Sequence, residues 1–167
     1  MSHCSLLTSL SYSDQVQILL HGPFESANDG LNYIVTLRDT FSNWVQAKTL
    51  ASDEEDRLAF SVANVVFSTL CQFGFTNCDF VGKSRPFFST FLKHISSLWS
   101  SLDVIGLRPD DIFNFVDERS QNLGSSTIAE KILEFVQTEG WTSKLDAWLF
   151  QHRTSIQVKT AVLGGEV

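Results

Sequence analysis

The apolar positions along the chain change period more than once, and each change marks an element. Val16-Gln17-Ile18-Leu19-Leu20 is a short, nearly continuous apolar run closed by His21-Gly22-Pro23. That is the pattern of a buried strand ending in a turn. Asn28-Asp29-Gly30 is a turn signal, and Asn32–Arg38 (NYIVTLR) follows it with the β-branched and aromatic residues that suit a pleated surface. Asp39–Asn43 turns the chain again, and Trp44–Leu50 continues with apolar residues at 44, 45, 47 and 50. Three strands joined by short turns predict an antiparallel meander.

From Ser52 the period becomes helical. Ser52-Asp53-Glu54-Glu55 supplies an N-cap and an acidic first turn, which favour a helix start through the macrodipole. Leu58, Val62, Val65, Val66 and Leu70 share one face, and Gly74 suits a left-handed C-cap. A short strand at Cys78–Val81 is expected next, then a helix carrying Phe87, Phe91, Ile95, Leu98 and Trp99. Val104-Ile105-Gly106-Leu107 reads as a fifth strand, and a short helix is expected within 110–117. Helices over about 125–138 and 142–154 close the domain, which is expected to span 15–160, between a polar leader (1–14) and a frayed tail (161–167). Three strands followed by alternating helices and strands predict an α/β fold: a five-stranded mixed sheet, its first three strands antiparallel, with helices on both faces. That is the ribonuclease H-like arrangement.

Composition narrows the partners more than the fold. The 167 residues suit one domain, and fourteen Phe and four Trp provide core material. No run approaches the roughly 18–20 apolar residues a membrane span needs, so no membrane partner is expected. The start lacks the basic region of a secretory signal, so an intracellular location is expected. Cys4, Cys71 and Cys78 follow no zinc spacing and read as free thiols. Twelve basic residues against nineteen acidic ones leave a net charge of −7, which argues against a strong, general DNA binder.

Several of these segments resemble the catalytic core of retroviral and Ty3/gypsy-type integrases. His21-Gly22-Pro23-Phe24 is similar to the Gly-Pro-Phe that ends the family's first strand. The block Tyr33–Trp44 is similar to its second strand and turn, of the form Tyr-Ile-apolar-x-apolar-x-Asp-x-Phe-Ser-x-Trp. Val45, Ala47 and Leu50 continue the likeness, as do Phe73-Gly74 and, near the end, Trp141, Leu145, Trp148, Thr154-Ser155 and Thr160. It spans roughly 16–163, and the 33–44 block is its most specific part.

The resemblance implies two Asp and one Glu holding a pair of Mg²⁺ or Mn²⁺ ions for phosphodiester transfer. Counting from the matched motifs puts Leu19 at the first Asp, Gly82 at the second and Thr127 at the Glu. Leu, Gly and Thr do not supply the charged oxygens that hard cations require. The chain therefore reads as an integrase-like core without catalytic residues and without a metal cofactor. Its expected partner is another protein or a second copy of itself.

Other acids are candidates for the missing roles. Asp39 belongs to the non-catalytic pattern of the family, and Asp79 lies three residues early for the second position. Asp110-Asp111 suits a helix start, while Glu118 and Glu130 flank Thr127 and are the substitutes for the Glu. His21, beside the first position, reads as a turn residue rather than a ligand. Lys83 and Arg85, with Lys93 on the following helix, are the candidates for weak residual nucleic-acid contact. The alternative reading is an active metal-dependent polynucleotidyl transferase with relocated carboxylates.

Overall fold

The computed structural model describes residues 15–25, 30–51, 54–100, 106, 108–120 and 124–165, with side chains described except at 120, 124–127 and 157–165. The expected leader lies outside these residues. β1 (Val16–His21), β2 (Tyr33–Asp39) and β3 (Val45–Leu50) form the antiparallel meander. β4 (Cys78–Gly82) and β5 (Phe113–Asp117) add to the other side of β1, both parallel. The sheet order is β3-β2-β1-β4-β5, the mixed five-stranded arrangement expected for a ribonuclease H-like fold.

Helix α1 (Glu55–Phe73) follows β3 and ends on Gly74, whose φ of 69° is left-handed and whose amide donates to the Leu70 carbonyl. Helix α2 (Arg85–Trp99) starts at Ser84, which accepts the Phe87 amide on its hydroxyl. A single turn, α3 (Pro109–Ile112), leads into β5. Then come α4 (Gly124–Phe135) and α5 (Leu145–Gly165), with 3-10 turns at Glu118–Ser120 and Trp141–Ser143.

Two expectations about these elements are corrected. The fifth strand of the sheet is Phe113–Asp117, not 104–107, most of which lies outside the described residues. The short helix expected within 110–117 is one turn that gives way to that strand. Phe113-Asn114-Phe115-Val116 alternates as a strand does, and pairing with β4 outweighs the helical start signal of Pro109-Asp110-Asp111. The closing helix also continues well beyond 154, to Gly165.

Strand alternation sends side chains to two cores. Val16, Ile18, Val35, Leu37, Cys78 and Phe80 face α1 and α2, where they meet Leu58, Val62, Phe91 and Ile95. Ile34, Val45 and Ala47 face the opposite way, where Ile128, Ile132, Phe135, Leu145 and Leu149 of α4 and α5 cover them. Helices therefore lie on both faces. The first core is aromatic: the Phe80 ring lies 4.8 Å from Phe91 and 5.4 Å from Phe88, and Phe91 meets Phe113 edge-on at 5.3 Å.

Candidate functional site at the ends of the parallel strands

β1 and β4 are parallel neighbours, and the chain leaves β1 toward β2 and β3 but returns to β4 on the other side. Open α/β sheets form a crevice at such a reversal, outside the carboxyl ends of the strands. Here that crevice is a cleft of about 730 Å³. It is reached by His21-Gly22-Pro23-Phe24 after β1, by Val81 and Gly82 at the end of β4, and by Lys83-Ser84 leading into α2.

Leu19 pairs with Thr36 on one side and Val81 on the other, so it stands one residue from Gly82 across the β1–β4 ladder. The fold thus brings the first two expected positions together. Leu19 is buried and lies on the face covered by α4 and α5. Gly82 belongs to the other face: a Cβ built there would lie 3.4 Å from the Phe80 ring and 3.8 Å from Phe115. Thr127 is in the first turn of α4, with its side chain outside those described. Ala129 and Leu133 of that helix line the cleft, and Glu130 is exposed and does not.

His21 lies on the same strand face as Leu19 and lines the cleft, yet it is buried. Its Nε2 shares a 2.9 Å hydrogen bond with the Thr36 hydroxyl. Burial pushes its pKa down to about 4, so the ring is neutral at neutral pH. One residue on, Gly22 has φ 123°, and its amide precedes a cis peptide bond to Pro23.

The Asp39 carboxylate makes the turn between β2 and β3, accepting the Phe41 amide at 3.0 Å and the Ser42 hydroxyl at 2.9 Å. Asn43 takes the left-handed conformation, with φ 64°. The most specific block of the resemblance therefore begins at the cleft, which Tyr33 lines, and ends in the Asp39–Asn43 turn, which lies outside the cleft lining. Asp79 stands on the face of Leu19, in register with Gln17 and Asn114. Burial raises its pKa, and a hydrogen bond from Asn114 opposes that shift. Arg38 continues this polar row, donating to Gln17 Oε1 at 2.6 Å and Asn43 Oδ1 at 2.7 Å. Asp110 and Asp111 lie in the α3 turn, away from the cleft lining.

The basic candidates do not converge. Lys83 lines the cleft. Arg85 is turned onto the Phe115 ring, 5.0 Å from its centroid, and Lys93 is exposed two turns further along α2. The acids that do reach the cleft are Glu54, Glu55 and Glu118. The helix-start pattern identified Glu54 and Glu55 only as part of an acidic first turn, whereas Glu54 stands at the N-cap position without a side-chain cap, and nothing local says what a helix start will face. Among the described residues, no group of three or more His, Cys, Asp or Glu is placed to hold a metal ion. Cys71 and Cys78 are free, and burial, then the nearby Asp79 charge, pushes the Cys78 thiol up to about 12.

Neither a protein-family model nor a curated protein matches the chain. What fold and cleft define is an α/β protein with a five-stranded mixed sheet and a crevice at its strand reversal. At that crevice His21 and Gly82 end the two parallel strands, Leu19 lies outside the lining, and glutamates stand on the surrounding helix and turn. No helix among the described residues is long and apolar enough to cross a membrane.

Proposed function

We propose that this chain is a catalytically inactive, integrase-like core domain of retroelement origin that serves as a protein-interaction or scaffold module. Leu19 carries the reading. The resemblance puts the first metal-ligating carboxylate there, and the side chain present is a buried leucine flanked by Thr36 and Val81. A divalent ion next to it would lose water without gaining a charged oxygen. Gly82 at the neighbouring strand end offers no ligand atom beyond its backbone. On this reading the domain needs no metal, works in nucleus or cytoplasm, and contacts a protein or a second copy of itself. DNA contact through Lys83, Arg85 and Lys93 is weak and salt-sensitive.

Purified protein incubated with DNA ends and Mg²⁺ or Mn²⁺ tests this directly. The expected result is neither cleavage nor strand transfer above a protein-free control. A second reading, a nuclease with relocated carboxylates, draws on the presence of Glu55 and Glu118 at the cleft. Metal-dependent cleavage abolished by Glu118→Gln or Glu55→Gln would establish that reading and remove the first.

A further inference from the structure

The cleft has two parts of different chemistry. Its apolar and aromatic lining is supplied by Phe24, Tyr33, Leu58, Phe80 and Phe87. Among the described residues, its charged lining is Glu54, Glu55 and Glu118 with Lys83. Glu54, Glu55 and Glu118 are all exposed, and Glu54 is paired with Arg57 at 3.3 Å. Leu133 stands on the α4 side of the cleft and is 53% exposed, an apolar contact open to a visitor. The volume is in the range of sites that enclose a few side chains.

This combination selects an occupant by charge. A phosphate backbone would bring like charge against the glutamates and gain one lysine in return. A cationic side chain would meet carboxylates and aromatic side chains, and both attract it. Its apolar neighbours in sequence would cover the apolar lining and Leu133.

We propose that the cleft docks a short basic segment of a partner protein, an arginine or lysine flanked by apolar side chains. The inference rests on the reading of the domain as an interaction module and gives that partner a chemistry.

The test is selection of phage-displayed random heptapeptides on the full-length chain, followed by affinity measurement with the synthetic winners. Enrichment of peptides carrying Arg or Lys beside aromatic or aliphatic residues is expected. Their affinity should fall about ten-fold, equivalent to about 1.4 kcal/mol, on the double substitution Glu55→Lys/Glu118→Lys. Both positions are exposed, so thermal unfolding should be nearly unchanged, and Glu139→Lys, away from the cleft, should leave affinity intact. Enrichment of uncharged or acidic peptides, equal binding to the double variant, or displacement of the peptides by short duplex DNA would overturn the inference. Each of those leaves the interaction-module reading standing. Metal-dependent DNA cleavage would remove that reading and the inference together.

Discussion

His21 and Gly22 close β1 at the mouth of the cleft, and each has a measurable consequence. A Cβ on Gly22 would lie 2.6 Å from the Asn32 carbonyl oxygen, at a φ of 123° that L side chains rarely adopt. Gly22→Ala should therefore destabilise the fold by about 1–3 kcal/mol, read from urea unfolding. His21 titrates at about 4 in the fold against an ordinary value of 6.5. Between these two values the unfolded chain binds the proton and the folded chain does not. Stability therefore falls as pH drops through that window and is fully present above it. The shift corresponds to about 3 kcal/mol. His21→Gln, which keeps a polar atom near Thr36, should flatten the loss of stability between pH 6.5 and pH 4. Asp79, whose pKa is raised above its ordinary 3.8, acts in the opposite sense, so comparing wild type with the variant isolates His21. An unchanged pH profile in the variant would show that the ring does not carry the effect.

At the scale of elements, α5 is tied to the edge strand β3 by one side chain. Arg153 donates to the Val45 carbonyl through Nε at 3.0 Å and Nη2 at 2.8 Å, and reaches Gln46 Oε1 at 3.1 Å. Its guanidinium also lies 4.6 Å from the centroid of the Trp44 ring. The fork geometry belongs to arginine alone. Arg153→Lys should cost about 1–3 kcal/mol and raise the amide exchange rates of β3. Exchange that stays as slow as in wild type would show that α5 is held by Leu145 and Leu149 instead. The sequence shows a helix here and its apolar face. It does not show that an arginine would cap a sheet edge more than a hundred residues earlier in the chain. The fifth strand teaches the same lesson: the helix-start signal of Pro109-Asp110-Asp111 precedes Phe113–Asp117, and only pairing with β4 makes that segment a strand.

For the whole molecule, a net charge of −7 sets the long-range field. Lys83, Arg85 and Lys93 are spread from the cleft along α2, and Arg85 is engaged with Phe115. Fluorescence anisotropy with duplex DNA should show binding only at low salt, lost by about 0.15 M, where the screening length is about 8 Å. Retention on DNA at that salt, removed by Lys83→Glu, would instead assign this face to nucleic acid.

The order of elements from β1 through α2 was legible in the sequence because each carries its own period, whereas the fifth strand and the short helix beside it were read in the reverse order. Leu19 and Gly82 were identifiable as neighbours of the turn motifs around them, Gly22-Pro23 and Phe87. Sequence spacing also located the turn-making Asp39, because an Asx turn is built from adjacent residues. Only the tertiary structure could decide the rest. It set Leu19 beside Gly82 across two parallel strands, excluded Glu130 from the cleft, and admitted Glu55 and Glu118. Those outcomes depend on chain segments that meet through packing of the two helix layers on the sheet, and no local pattern encodes which residues face each other there.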